Sequence, residues 1–124
     1  MNLEVVDCDF TICKIDNIDK IDLTQKFIFL SKTSDEISLV CESSSIPPNI
    51  IESEPGWKAI KISDTLDFSI VGVLSKISAI LASADISIFV ISTYNTDYIL
   101  MKSENLDKGI HVLKHNGIKI IIPL

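Results

Sequence analysis

The sequence predicts an α+β fold, and three observations carry that expectation. From residue 57 onward, apolar runs of strand length and stretches of helical period follow one another as strand, helix, strand, strand, helix, strand. Over about 70 residues that order is the ferredoxin-like β-α-β-β-α-β plan. Ile dominates the apolar residues, and β-branched side chains favour strands. Hydrophobic residues make up 47% of 124, enough for a packed core and too many for a disordered chain.

The elements follow in chain order. Val6, Cys8, Phe10 and Ile12 alternate with polar residues, the period of a half-buried strand. Residues 16–25 are rich in Asp and Lys and carry Ile18, Ile21 and Leu23, which predicts one or two helical turns. Residues 27–30 and 36–42 read as a hairpin around the turn-like Thr33-Ser34-Asp35. Residues 43–56 concentrate Ser, Pro and Gly, and Pro47-Pro48 cannot continue a ladder, so a junction is expected there. Residues 57–63 form a strand and 64–69 a loop. Ile70, Val73, Leu74, Ile77 and Leu81 then recur at helical spacing, with Asp67 or Ser69 as N-cap. Ala84-Asp85 ends that helix. Residues 86–93 and 98–102 form a second hairpin. Leu106, Ile110 and Leu113 mark a second helix, capped near residues 103–105 and stopped by His115-Asn116-Gly117. Residues 118–123 form the last strand.

This length is one domain or two small units packed together. The division expected is residues 1–54 as a truncated N-terminal copy of the plan and 55–124 as a complete C-terminal copy. The two halves do not align convincingly by eye. In a ferredoxin-like sheet the strands lie in the order fourth, first, third, second. The strand near residues 86–91 is then an edge with two apolar faces. It needs cover, from the first half, from a second copy, or from both.

Charge and cysteine usage exclude several function classes. The net charge is −6 and all 11 basic residues are Lys, so the chain lacks the footprint of a nucleic-acid binder. Without Arg, an anion must be held by backbone N–H groups or Lys. No run approaches the ~20 apolar residues of a membrane span, and the acidic N-terminus is no signal peptide, so the expected address is the cytoplasm. The three Cys residues (Cys8, Cys13 and Cys41) read as reduced core thiols, with Cys8 and Cys13 on opposite strand faces. No nucleophile–base pair, P-loop or G-x-S-x-G appears, so no enzyme activity and no cofactor are expected. Asp107, His111 and His115 share a helix stripe turned away from the apolar face, which reads as solvent-facing rather than metal-binding. Trp57 reads as a core or interface packing residue, and Tyr94 and Tyr98 as packing or interface residues.

The candidate site is a pair of segments. Residues 92–97 place Ser92, Thr93, Thr96 and the fixed negative charge of Asp97 in one polar turn between apolar strands. Residues 63–72 supply N–H groups where a helix begins, the natural seat of a carboxylate. Such a pair suits a small zwitterion better than it suits covalent chemistry. Asp97 can instead cap its own turn, Asp67 can be only a helix cap, and Gly72 can serve packing as readily as ligand approach.

Residues 54–63 (EPGWKAIKIS), 66–89 (LDFSIVGVLSKISAILASADISIF) and 91–106 (ISTYNTDYILMKSENL) resemble the tandem ACT-domain proteins of bacteria. These are small relatives of the aspartate-kinase ACT module, and the same type occurs in animal cytosolic arginine sensors. Residues 27–48 resemble the first-half hairpin of that group. The resemblance implies an amino-acid ligand held between ACT units at the loop from first strand to first helix, facing a partner strand or loop. Carried over, the ligand residues are Asp67, Phe68, Ser69, Ile70, Val71 and Gly72, with Asp97 for an ammonium or basic group and Ser92, Thr93 and Thr96 for hydrogen bonds. A homodimeric sensor or regulatory subunit is the expectation. The alternative is an assembly module with a vestigial ligand site.

Overall fold

The computed structural model describes residues 2–63 and 72–123. Its strands are β1 (Asn2–Ile15), β2 (Ile28–Lys32), β3 (Ile37–Glu42), β4 (Ile50–Ile62), β5 (Phe89–Ser92), β6 (Asp97–Lys102) and β7 (Lys119–Ile121). Its helices are α1 (Val73–Ser83) and α2 (Leu106–His115), and short 3-10 turns follow β3 and β6. The residues divide into two units, one of Met1–Asp7 with Lys58–Leu124 and one of Cys8–Trp57. Both β1 and β4 begin in one unit and end in the other.

The helical unit contains the β-α-β-β-α-β plan as β4, α1, β5, β6, α2 and β7. Its core joins Ile60 and Ile62 of β4, Ile77 and Leu81 of α1, Ile99 and Met101 of β6, and Leu113 of α2. Burying apolar area at about 25 cal/mol per Å² makes such residues the main source of stability. Both helices end in Schellman motifs. After α2, Gly117 at φ +81° lets its N–H reach Lys114 O (3.0 Å) and the Ile118 N–H reach Leu113 O (3.1 Å). After α1 the same bonds run from Asp85 to Ala82 and from Ile86 to Leu81, with Asp85 at φ 58°. Gly109 of α2 leaves room for Met101, whose Sδ would lie 2.8 Å from an added Cβ.

The sheet order departs from expectation at one point. The start of β1 lies between β7 and β4, with Asn2, Leu3 and Glu4 parallel to Lys119, Ile120 and Ile121. The fourth and first strands of the plan are therefore separated by an added strand. Leu3 and Val5 place side chains in the same core, which explains why the insertion is favourable. The expected edge holds, because β5 ends the strand order. Among the described residues its strand pairing is with β6.

In the other unit, β3 pairs antiparallel with both β2 and β1. Phe10 packs edge-on against Phe27, with ring centroids 5.6 Å apart. Residues 16–25 form turns rather than the expected helical turns, because Asp22 Oδ1 accepts from both the Thr24 N–H (2.9 Å) and the Thr24 hydroxyl (2.6 Å). β4 extends back through Pro55 into the stretch expected to be a junction. Its first seven residues are exposed, a setting in which a strand tolerates Pro.

A recurrence spans the chain. β3 and its 3-10 turn reappear as β6 and its 3-10 turn with each bound shifted by 60 residues: Ile37 to Asp97, Glu42 to Lys102, Ser43 to Ser103, Ser45 to Asn105. The burial sequence along the two strands is identical, with Leu39, Val40 and Cys41 matching Ile99, Leu100 and Met101.

Candidate functional site

The turn between β5 and β6 is closed by Thr93. Its N–H donates to Thr96 O (2.8 Å), its hydroxyl donates to the same oxygen (3.1 Å), and its Oγ1 accepts the Thr96 N–H (3.3 Å). Thr33 and Glu36 form the same device in the other hairpin. Thr96 is 7% exposed, and its hydroxyl donates to Ile62 O at 2.6 Å, tying the turn to the end of β4. The Thr93 and Thr96 hydroxyl protons are thus committed within the protein. The Asp97 side chain makes none of these turn-closing bonds.

Strand alternation assigns the remaining groups to faces. Ile99 and Met101 pack with α1, so Asp97, two residues earlier, lies on the helix-bearing face. Ser92 is its direct cross-strand partner and shares that face. The structure therefore brings Ser92 and Asp97 together on the helix-bearing face of the sheet.

α1 begins at Val73, later than the periodicity suggests. Its N-cap is Gly72 rather than Asp67 or Ser69, at φ +83° and ψ 7°. No atom lies within 4 Å of a Cβ added there, so glycine serves backbone conformation and not close packing. Gly72 has no side chain with which to cap the helix, and the first turn of α1 holds no acidic residue. The first N–H groups of such a helix carry a partial positive charge. Asp67, Phe68, Ser69, Ile70 and Val71 lie outside the described residues.

The opposite face carries a cleft that the sequence reading missed. Its volume is about 350 Å³, and Lys61, Ser63, Asn95 and Tyr98 line it together with Thr93 and Thr96. Lys61 alternates with Ile60 and Ile62, and Tyr98 with Asp97 and Ile99, so both stand on the helix-free face. Lys61 between two core isoleucines was the available signal, but only the strand pairing shows that it meets the turn.

With this geometry in view, comparison with known proteins is decisive for the family. Residues 52–115 match the ACT domain. The chain belongs to the ACT-domain family. Every ligand residue expected from the sequence lies inside the matched ACT segment. Three solved structures are similar. A protein from Agrobacterium tumefaciens shares 25% identity over 99% of this chain and 93% of its own, with a TM-score of 0.88. A protein of unknown function from Vibrio cholerae shares 20% identity over 92% and 88%, with a TM-score of 0.73. Aspartate kinase of Clostridium acetobutylicum, an allosteric enzyme, shares 14% identity over 87% of this chain and 33% of its own, with a TM-score of 0.66. These last two likenesses are of fold.

Other candidates in this ACT-domain chain have structural places. Trp57 is 9% exposed, as a packing residue should be. His111 and His115 stack at 6.5 Å on the exposed side of α2, and no metal-holding cluster occurs among the described residues. Cys13 and Cys41 are buried, but Cys8 is half-buried, so the expectation of three core thiols fails at Cys8. Burial, reinforced by neighbouring Cys13, pushes the Cys41 thiol up to about 12. Burial also raises Cys13, partly offset by its hydrogen bond with Cys41. Such thiols stay protonated and inert. No helix among the described residues is long and apolar enough to cross a membrane.

Proposed function

We propose that this ACT-domain protein is a non-catalytic regulatory module that binds a small amino acid on the helix-bearing face, where β4 leads into α1. The observation that carries this reading is Asp97. Thr93 closes the turn in its place, which leaves the Asp97 carboxylate beside Ser92 on the helix-bearing face of the sheet. A ligand ammonium pairs with Asp97. Its carboxylate is held by N–H groups of the ligand residues carried over from the resemblance, Asp67, Phe68, Ser69, Ile70, Val71 and Gly72. Ser92 adds a hydrogen bond. Thr93 and Thr96 shape the turn through the bonds already described. The allosteric aspartate kinase that resembles this chain supports a regulatory role. Ligand binding shifts the protein between arrangements only as far as its affinities for them differ.

The tandem reading, with residues 1–54 as a truncated copy and 55–124 as a complete one, belongs to the same proposal. The 60-residue recurrence of β3 in β6 supports it. The sequence resemblance to tandem ACT-domain proteins, which implies a ligand held between ACT units, accords with it. A homodimer fits this scheme, and β5, an end strand with Val90 37% exposed, favours a second reading as an assembly module.

A thermal-shift screen against the twenty amino acids, with light scattering for the oligomer, tests both. A ligand at 100 times its Kd adds about 2.7 kcal/mol of stability. A shift with one chemical subset, lost in Asp97→Ala, is the expected result. A well-folded dimer that responds to none of them refutes ligand binding in favour of assembly.

A further inference from the structure

The cleft on the helix-free face is a different place from the Asp97 face, and its chemistry differs. The chain carries a net charge of −6 with 17 acidic residues. Yet the described lining of the cleft contains Lys61 and no carboxylate. Among the described residues no carboxylate pairs with Lys61. Lys61 is the charged side chain of the described lining, and a cation at a cleft favours an anionic ligand.

The hydroxyl groups narrow the ligand further. Ser63 Oγ donates to Asn2 O (2.9 Å), Thr96 Oγ1 to Ile62 O (2.6 Å), and Thr93 Oγ1 to Thr96 O (3.1 Å). With their protons committed, these oxygens can offer a ligand only lone pairs. The described lining therefore presents the Lys61 ammonium and the Asn95 amide as donors, the Tyr98 phenol, and a set of hydroxyl acceptors. Its complement is a small molecule with a carboxylate and at least one donor of its own. The volume of about 350 Å³ is at the lower end of the range for small-molecule sites.

We propose that this cleft is a second binding site, for a small hydroxy- or amino-carboxylate, with Lys61 as the counter-charge. It is independent of the Asp97 site. An ACT domain built this way reads two small molecules, one on each face of the same hairpin turn.

The test is an amide NMR titration of the full chain with acetate, glycolate, glycine and neutral glycerol at constant ionic strength. Wild type, Lys61→Gln and Asp97→Asn are compared. Saturable shifts are expected at Ser63, Asn95 and Thr96, with glycolate or glycine binding tighter than acetate and glycerol not binding. Lys61→Gln weakens that binding about tenfold or more, and Asp97→Asn leaves it unchanged. Absence of saturable shifts at those amides overturns the proposal. So does binding that survives Lys61→Gln. Shifts confined to Gly72 and Val73 and lost in Asp97→Asn overturn the cleft assignment while sustaining the proposed amino-acid site.

Discussion

Replacing Thr96 by Val separates a turn-building role from a ligand role. Valine has nearly the same shape, so the substitution removes the hydroxyl and little else. The hydroxyl is buried, and its bond to Ile62 O is short, at 2.6 Å. It joins residues 34 positions apart. Leaving a buried carbonyl without its donor costs about 1–3 kcal/mol. The Ile62 carbonyl sits beside the cleft, where water can partly replace the hydroxyl. The lower half of that range follows, about 1.5 kcal/mol. With m near 1–3 kcal/mol/M in urea, the midpoint falls by roughly 0.5–1.5 M at constant m. Equilibrium urea unfolding followed by circular dichroism reads this directly. A Thr96→Val protein as stable as wild type that loses amino-acid binding would refute the reasoning and make the Thr96 hydroxyl a ligand contact.

Two further outcomes are expected. Gly72→Ala loses about 1 kcal/mol, because φ +83° penalises a Cβ although nothing crowds it, and Gly72→Asn loses less. Thermal melting of both variants checks the order, and an alanine variant equal to wild type contradicts it. Stability falls with rising pH above about 9 and continues to fall toward about 12, because the unfolded chain releases the Cys41 proton while the folded chain keeps it. Urea midpoints measured across that window should slope down in wild type and flatten in Cys41→Val. An equal slope in both would assign the effect elsewhere.

Much of the helical unit can be read from its residues alone. α2 is bounded by an apolar period and the His115-Asn116-Gly117 stop, and both are local signals. β3 and β6 are short, apolar and flanked by turns. What escaped depends on partners far away in the chain. Ile86 to Ile88 look like strand, yet Ile86 closes the α1 Schellman motif through Leu81 and the strand begins only at Phe89. β4 continues through Pro55-Gly56 despite their turn chemistry, because its exposed first half makes no demand on them. The site shows the same contrast. The polar turn at residues 92–97 was evident, but the assignment of Thr93 to the turn and of Lys61 to a cleft required strand pairing.

The parallel pairing of Asn2, Leu3 and Glu4 with Lys119, Ile120 and Ile121 also constrains how this chain is made. During synthesis β1 emerges long before β7, and Leu3 and Val5 wait for the later elements that complete their core. Closing so long a loop has an entropic cost that must be met before the contact gives anything back. Maturation of the helical unit is therefore late relative to the synthesis of β1, and that nascent strand is where a holding chaperone has most to shield.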